Sequence, residues 1–271
     1  MPELPEVENI KIQINNRVKE PLVSHVTVNN FNLRKLINNS IFSDLENNSL
    51  SHFSRYGKYL TSKISNKYLL IHLGMSGKIR IEDTYNTIKH DHVILNTSQG
   101  FIVYNDTRRF GLFQTIACEK DLFKIIGNGV EPLSEDFNED YLYHLTRKNY
   151  LNIKLLLLDQ KNIRGIGNIY ASEILFESSI HPCSISSKIP KEKILNIVNN
   201  TKIILKKSIL DGGTTIKDFK HLDGKKGDNL RNIKVYGKEG LACVNCNNHI
   251  RNINIGNRST FYCFNCQTEY H

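Results

Sequence analysis

Four of the six cysteines in this chain of 271 residues form two close pairs near its C-terminus. Cys243 and Cys246 make up the first pair, Cys263 and Cys266 make up the second, and 16 residues separate the two pairs. Each pair can offer two thiolates, and two such pairs close a tetrahedron around one zinc ion. Because this arrangement leaves no coordination position open, we expect one structural zinc ion rather than a catalytic one.

The other two cysteines, Cys118 and Cys183, have no partner at the spacing of metal ligands. Free cysteines are among the side chains most often found inside proteins. We therefore expect both to be small buried or half-buried side chains.

The residues between the cysteine pairs predict a β-hairpin. Isoleucines 250, 253 and 255 indicate one strand, residues 259–262 a second, and Gly256-Asn257 is a turn signal between them. Arg258 lies beside the predicted tip. It is either an ordinary exposed arginine or a basic side chain that enters a DNA groove or contacts a phosphate. Zinc ribbons also mediate protein contacts, so this spacing alone leaves the partner open.

A proline and a glutamate follow the first methionine, and this pair could also do chemistry. If Met1 is removed by processing, Pro2 carries a secondary amine, and α-amino groups titrate near neutrality. Attack of that amine on a sugar C1′ gives an iminium ion, which acidifies the C2′ protons for elimination. Glu3 would act as the acid–base partner. The alternative is an ordinary Met-Pro start in which Glu3 only begins a helix.

The overall charge indicates a polyanionic partner or a solvated basic surface. Lys and Arg total 36 against 27 Asp and Glu, which gives a net charge of +9. Basic side chains gain free energy on nucleic acid by releasing counterions condensed on the phosphates. No apolar segment has the length that a membrane span requires, and the acidic, proline-rich start differs from a signal peptide. We therefore expect a cytoplasmic protein.

The elements that must position these residues change type along the chain. Val7, Ile10 and Ile14 recur at helical spacing after Pro5, so a helix begins just after Pro2 and Glu3. Residues 23 to 116 predict short strands, as in a β-sandwich or a barrel, and examples are 68–73, 92–95, 101–104 and 110–116. Four helices are predicted next, over 138–147, 151–159, 168–178 and 190–210. Residues 217–231 are polar and predict a mobile loop.

Motifs spread along the whole chain resemble the formamidopyrimidine-DNA glycosylase family (Fpg, also called MutM). The opening Met1 to Glu8 is the first, and no single motif carries the likeness. The matching segments are residues 1–8, 56–59, 72–77, 89–93, 106–111, 165–173, 212–219, 235–237 and the zinc module with 258–263.

This resemblance implies an α+β fold in three domains. Residues 1–132 would form a catalytic β-sandwich domain with an N-terminal helix. Residues 133–234 would form a helix–two-turns–helix DNA-binding domain, with a loop near 217–231 that covers the lesion. Residues 235–271 would form a zinc β-hairpin.

The resemblance also implies an activity, a cofactor and a partner. The protein would be a base-excision repair DNA glycosylase with AP lyase activity, which removes 8-oxoguanine and formamidopyrimidines from duplex DNA. Pro2 would form the Schiff base, Glu3 would protonate the deoxyribose ring oxygen, and Lys58 would contact phosphates beside the lesion. β- and δ-elimination would follow. One zinc ion would be the only cofactor, and the protein would be a monomer in the bacterial cytoplasm, associated with the nucleoid through DNA.

Three further residues match phosphate contacts of the family. Asn168 follows a glycine turn at a helix N-terminus, where backbone N–H groups favour an anion; the alternative is a helical hairpin with packing glycines. Lys154 lies on the preceding helix. His72 lies on a strand, where a local hydrogen bond is the other explanation. Lys58 could likewise be a surface lysine, and Glu6 either supports the pocket or caps the first helix.

Met75, Arg109 and Phe110 match the residues that fill the gap left when a base is flipped out of the duplex. Arg109 would offer paired donors to the orphaned cytosine, and Phe110 would wedge between bases. The alternative is core packing for Met75 and Phe110, with Arg109 in a plain basic patch. Two departures from the family pattern stand out. Thr107 replaces a common proline, and Asp228-Asn229 replace the aromatic residues usual after Gly227, which bears on lesion preference.

Three alternative functions remain at this stage. The endonuclease VIII branch of the same superfamily prefers oxidised pyrimidines, although residues 4–7 and the Met75, Arg109 and Phe110 set favour the formamidopyrimidine branch. A catalytically silent DNA-damage binder would not need Pro2 and Glu3. A zinc-ribbon protein without a DNA role would not explain the basic charge or the glycine turn before Asn168.

Overall fold

The computed structural model describes residues 1–214, 222, 224 and 227–271. They form two compact units: the first is Met1–Gly127 with Asp211–Asp228, and the second is Asn128–Leu210 with Asn229–His271. Helices and antiparallel sheets are both present, which confirms the predicted α+β class. The three-domain division at 132 and 234 stays a prediction.

The first unit contains helix α1 (Leu4–Arg17) and two antiparallel sheets of four strands, with strand orders β1-β6-β7-β5 and β2-β3-β4-β8 among the described residues. The strands are β1 (Val23–Val28), β2 (Ser54–Tyr56), β3 (Tyr59–Ile64), β4 (Lys67–His72), β5 (Gly77–Glu82), β6 (Asp91–Thr97), β7 (Gly100–Asp106) and β8 (Leu112–Ile116). Two separate sheets settle the choice between sandwich and barrel in favour of the sandwich. The predicted strand over 110–116 begins later, at Leu112, because residues 107–111 form a loop.

One core joins both sheets of the first unit to α1. Leu60 and Ile71 come from one sheet, Ile102 comes from the other, and Ile10 and Ile14 come from the buried face of α1. Alternation along the strands and helical spacing along α1 put these apolar side chains on one side. The start of α1, which carries Pro2 and Glu3, is therefore fixed against the sandwich.

Two short helices of the first unit were not predicted: α2 (Ile41–Leu45) and α3 (Glu119–Ile126). In α3, Leu122 and Ile126 are buried one turn apart, a pattern too short to stand out in the sequence. Cys118 precedes α3 and is exposed, so the prediction that it is at least half-buried was wrong. Its thiol points to Asp121 on the open face of the helix, with Sγ 3.3 Å from Oδ2.

The second unit is helical and ends in a two-stranded sheet. Its elements are α4 (Glu139–Arg147), α5 (Ile153–Leu158), α6 (Asn168–Glu177), α7 (Lys191–Leu210), β9 (Arg251–Ile255) and β10 (Arg258–Tyr262). The four predicted helices are confirmed, and their ends shift by no more than two residues. In the part of the chain that the structure describes, no helix combines the length and the apolar character that a membrane crossing needs.

Helix α6 connects the helices to the β-hairpin formed by β9 and β10. It packs on α5, α7 and β10. The buried carboxylate of Glu173 accepts hydrogen bonds from the backbone N–H groups of Lys234, Val235 and Tyr236 at 2.7 to 3.0 Å. The segment that leads into the zinc module is thus held on α6.

The predicted loop over 217–231 is largely outside the described residues. At its described end, Asp228 pairs with Thr214 in an isolated bridge, and Asn229–Asn232 form a 3-10 turn. The loop therefore ends earlier than predicted. The Asn232 side-chain amide donates to Asn229 Oδ1 at 3.1 Å, and this local bond stabilises the turn.

Candidate functional site

The start of α1 holds the predicted nucleophile and its acid–base partner. Pro2 and Glu3 are buried, and Glu3 is the N-cap of the helix. The Glu3 carboxylate accepts from the Glu6 backbone N–H, while the Glu3 backbone N–H donates to Glu6 Oε2 at 2.8 Å. This reciprocal capping box fixes the carboxylate of Glu3 one residue from Pro2.

Glu6 makes a second connection within the first unit. Its Oε1 accepts from the Thr214 backbone N–H at 2.7 Å. Gly213 lies against it, since a Cβ on Gly213 would fall 3.1 Å from Glu6 Oε1. Glu6 therefore caps α1, as one of the two interpretations holds, and also anchors the chain at residue 214, while its support of the pocket stays a prediction.

A cavity of about 260 Å³ in the first unit brings several predicted residues together. His72, Met75 and Phe110 line it, with Met1, Arg34 and Gly74. Met1 is directly bonded to Pro2, so the start of the chain reaches the same cavity as the predicted wedge. Arg34 was not among the predicted residues, and nothing in its sequence neighbourhood distinguishes it from other arginines.

His72 lies at the end of β4, and the local structure fixes the state of its ring. The Gly74 backbone N–H donates to His72 Nδ1 at 3.0 Å. Burial, together with the nearby charges of Arg34 and Lys58, lowers the pKa of His72 from 6.5 to about 4. At neutral pH the ring is therefore uncharged and carries its proton on Nε2, ready to donate. Lys58 itself is buried in the two-residue turn between β2 and β3.

The lowered pKa of His72 predicts a pH dependence of stability. The unfolded chain binds a proton on this ring as the pH falls through 6.5, but the folded chain does so only near pH 4. The free energy of unfolding should therefore decrease as the pH is lowered from 6.5 to about 4, by about 3 kcal/mol at most. Urea titrations at pH 7 and pH 4 would measure this loss. This loss of stability should be smaller in His72→Asn, whose amide oxygen can still accept from the Gly74 N–H. The control variant His52→Asn, at an exposed histidine, should lose as much stability as the unaltered chain.

Two adjacent loops hold the predicted wedge residues. Met75 is 36% exposed, Phe110 is 48% exposed, and Arg109 is exposed between Phe110 and Arg108. The Arg108 guanidinium lies 4.9 Å from the centre of the Phe110 ring. The core-packing alternative for Met75 and Phe110 does not fit this exposure, because large apolar side chains on loop tips gain nothing from the core. Their contact with DNA stays a prediction.

The two loops approach each other closely at Gly74. Its φ is +60°, and a Cβ there would lie 2.5 Å from the Phe110 backbone carbon. Only glycine fits this backbone conformation and this contact without displacing a neighbour.

A fully buried carboxylate, Asp106, organises the same loops. Its Oδ1 accepts from the Ser76 hydroxyl at 2.6 Å and the Arg108 backbone N–H at 3.2 Å. Its Oδ2 accepts from the Gly111 backbone N–H at 2.8 Å and the Tyr104 hydroxyl at 3.3 Å. Burial and the Asp106 charge raise the pKa of Tyr104, which keeps that hydroxyl protonated as a donor. Asp106 was part of a matching motif but had no predicted role.

Replacing Asp106 with asparagine should destabilise the first unit and loosen the wedge loops. Because the amide nitrogen cannot accept, the donors to one of the two oxygens lose that acceptor in a buried site, at a cost of about 2 kcal/mol. Denaturant unfolding and the affinity for lesion-containing DNA would both be measured. Asp83→Asn makes the same chemical change at an exposed carboxylate that pairs with Arg17, and it should do neither. Equal effects of the two variants would contradict this role of Asp106.

Predicted phosphate-binding residues of the second unit meet at one carbonyl. The Asn168 side-chain amide donates to the Ser259 carbonyl oxygen at 2.8 Å, and the Lys154 ammonium lies 3.4 Å from the same oxygen. Lys154 is fully buried and also bonds to the Thr260 hydroxyl. Arg258 is the neighbour of Ser259 and is exposed at the first position of β10. The helical turn and the hairpin are thus joined at this point, and direct phosphate contacts by these residues stay predictions.

The four paired cysteines form one cluster, as predicted. Their Sγ atoms all lie within 4.8 Å of one another. Cys246 and Cys263 are 3.5 Å apart, and Cys243 and Cys266 are 3.8 Å apart. Four zinc–sulfur bonds of about 2.3 Å in a tetrahedron give sulfur separations of about 3.8 Å. The donor set fits one structural zinc ion, which these four residues would hold.

Comparison with known proteins assigns the family. Residues 1–113 match the Formamidopyrimidine-DNA glycosylase N-terminal domain, residues 128–220 match the Formamidopyrimidine-DNA glycosylase H2TH domain, and residues 240–268 match the zinc finger found in FPG and IleRS. The chain is similar to the formamidopyrimidine-DNA glycosylase of Rickettsia felis, with 40% identity over 258 residues and 92% of each chain covered.

Solved structures with the same fold agree with this match. A complex between a Lactococcus lactis FPG mutant and a Fapy-dG containing DNA has a TM-score of 0.92 and 31% identity, covering 99% of this chain and 100% of that one. A complex between the Lactococcus lactis Fpg and an abasic site containing DNA has a TM-score of 0.91 and 30% identity, covering 98% and 100%. The chain therefore belongs to the formamidopyrimidine-DNA glycosylase family and is a DNA-repair glycosylase with a zinc finger.

Proposed function

We propose that this glycosylase removes oxidised purines, 8-oxoguanine and formamidopyrimidines, from duplex DNA and then cuts the strand as an AP lyase. The observation that carries the proposal is the start of the chain, where Pro2 and the fixed carboxylate of Glu3 directly follow Met1, which lines one cavity with His72, Met75 and Phe110. The relatives' complexes with Fapy-dG and abasic-site DNA support this substrate class.

The chemistry begins once Met1 is removed and the Pro2 nitrogen is free. That nitrogen forms a bond to C1′, and the bond between C1′ and the damaged base breaks, with its electron pair leaving on the base, which takes up the proton released from the Pro2 nitrogen. Glu3 donates a proton to the ring oxygen O4′ as the C1′–O4′ bond opens, which leaves an iminium ion between Pro2 and C1′. The capping box suits Glu3 to this step because it holds the carboxylate in one orientation.

Elimination then follows from the iminium ion, which accepts the electrons of the C2′–H bond. Loss of a C2′ proton expels the 3′ phosphate, and a second loss at C4′ expels the 5′ phosphate. Hydrolysis of the remaining iminium ion frees Pro2, and a gap of one nucleotide with phosphate ends remains. No step needs a redox partner or a metal.

The remaining predicted residues would hold and distort the DNA. Lys58 and the Nε2–H of neutral His72 would contact phosphates in the first unit, and Lys154, Asn168 and Arg258 would do so in the second. Met75 and Phe110 would fill the gap left by the flipped base, and Arg109 would donate to the orphaned cytosine. The net charge of +9 supports binding to a polyanion, and we propose that the protein acts as a monomer.

Borohydride trapping tests the proposal. The mature protein, with Met1 removal verified by mass, is incubated with a duplex that carries 8-oxoguanine opposite cytosine while borohydride is present. We expect a covalent adduct that maps to Pro2, because borohydride reduces the iminium to a stable amine. Pro2→Gly, which replaces the secondary amine, should give little or no adduct while still binding the duplex.

Other outcomes separate the alternatives. An adduct formed only on an oxidised-pyrimidine duplex would contradict the oxidised-purine assignment and indicate the substrate preference of the endonuclease VIII branch. Binding without an adduct on either duplex would contradict the lyase chemistry and leave a silent damage binder.

A further inference from the structure

A second cluster of metal-ligating side chains lies in the second unit, outside the four-cysteine site. It consists of His181, Cys183 and Glu269, and one ligand atom from each lies within 4.8 Å of the others. His181 is buried, Cys183 is half-buried and Glu269 is partly exposed, so the cluster opens to solvent on one side. Cys183 therefore does have partners of the metal-binding kind: His181 is two residues away along the chain, and Glu269 is 86 residues away.

The backbone fixes the position of each residue in this cluster. The His181 N–H donates to the Thr268 carbonyl at 2.8 Å, and the Ile185 N–H donates to the Tyr270 carbonyl at 2.8 Å. The Tyr270 N–H donates in turn to the Ser184 hydroxyl at 3.1 Å. Glu269 lies between two anchored neighbours, so little backbone conformational entropy is lost when its carboxylate binds a ligand.

The geometry at His181 favours a cation between the side chains. Nδ1 accepts from the Cys183 backbone N–H at 3.2 Å, so in the neutral ring it carries no proton, and a bound cation would take the Nδ1 lone pair in place of this long hydrogen bond. The same Nδ1 lies 3.6 Å from Glu269 Oε2, which places two acceptor atoms opposite each other. Two ligand atoms on a tetrahedral zinc, with bonds of about 2.0 to 2.1 Å, are separated by about 3.4 Å. The four-cysteine cluster shows similar spacing, 3.5 and 3.8 Å between sulfurs.

We propose that His181, Cys183 and Glu269 form a second metal site, which binds a divalent ion of the zinc class through an imidazole nitrogen, a thiolate and a carboxylate oxygen. Three such ligands and an open side are the donor set that zinc takes when water completes its coordination. His271 can approach as an outer group, since its Nε2 lies 4.0 Å from Glu269 Oε2. The ion in this site exchanges, unlike the structural zinc, and it joins the C-terminal residues to the turn at 181–185.

Cobalt titration of the full-length zinc-loaded protein tests this site. The probe is Co²⁺ alone, added after dialysis has left only tightly held zinc. We expect one further equivalent to bind, with the weak charge-transfer band of a single thiolate ligand. Cys183→Ser should abolish that band, and Glu269→Gln should weaken binding by more than about tenfold. Cys118→Ser, which removes an exposed thiol of the other unit, should leave the titration unchanged.

Two measurements keep the result decisive. Zinc retained by each variant after dialysis reports that the four-cysteine site, and with it the fold of the second unit, is intact. The melting temperature of the unaltered chain should rise with added Zn²⁺, since a ligand that binds the folded state stabilises that state by mass action. The melting temperature of Cys183→Ser should not rise. A cobalt spectrum that Cys183→Ser leaves unchanged, or no binding at all in the unaltered chain, would overturn the proposal.

Discussion

Replacing Glu3 with glutamine should slow iminium formation and strand cutting at a damaged base by about 10²- to 10⁴-fold, the usual contribution of a positioned general acid. Glutamine keeps the side-chain oxygen that accepts from the Glu6 backbone N–H, so the capping box and the start of α1 should persist. What is lost is the proton that the proposed mechanism gives to O4′. Single-turnover kinetics on a duplex containing 8-oxoguanine would measure the loss.

The same variant should cut a preformed abasic site with a much smaller loss of rate. The deoxyribose at such a site already exchanges between its closed ring and its open aldehyde form. Pro2 can therefore attack the C1′ aldehyde without an acid to open the ring. Glu20→Gln makes the same exchange at an exposed residue beyond α1 and serves as the control. If Glu3→Gln lost both reactions equally while its unfolding free energy was unchanged, Glu3 would have a role other than protonation of the sugar.

Replacing Cys263 with serine should remove the structural zinc and, with it, most binding to DNA. Cys263 is fully buried and directly follows β10, the strand that carries Arg258 and Ser259. Zinc binding contributes about 10 to 16 kcal/mol to the folding of isolated zinc fingers, so the hairpin should unfold without it. Because the Ser259 carbonyl accepts from both Asn168 and Lys154, the proposed phosphate contacts of the helical part should weaken too.

Elemental analysis and DNA-binding titrations would test this expectation. Tightly held zinc should fall from one ion per chain to none, and affinity for duplex DNA should fall by about 100-fold or more, as expected when several phosphate contacts are lost. Cys118→Ser, at an exposed thiol of the first unit, should retain both zinc and affinity. DNA affinity that survives zinc loss would contradict the role of the hairpin.

The parts of the molecule that the sequence predicts well are those determined over short distances. The cysteine pairs, the turn at Gly256-Asn257 and the helices from residue 138 onward follow from spacings of a few residues, and the structure confirms them. The family resemblance added Pro2, Glu3 and the wedge residues, which no local pattern would have distinguished from an ordinary start and an ordinary basic patch.

The connections that position the site were not predictable in the same way. Asp106 bonds to Ser76 from 30 positions away, and Glu6 bonds to Thr214 from 208 positions away. Such contacts depend on which distant segments become neighbours in the fold. No short spacing in a single sequence indicates which segments these are. For the same reason, the sequence did not connect Cys183 with Glu269, although both lie beside His181 in the fold.

Arg109 has a backbone φ of +56°, a left-handed conformation that is unfavourable for a residue with a Cβ by about 1 kcal/mol. Glycine would adopt the same conformation without that cost, yet it would lack the donors that the proposed wedge offers to cytosine. Selection for thermal stability alone would therefore favour glycine at this position, whereas selection for repair would keep arginine. Efforts to make this enzyme more robust should leave residue 109 unchanged, because stability and activity ask for different amino acids there.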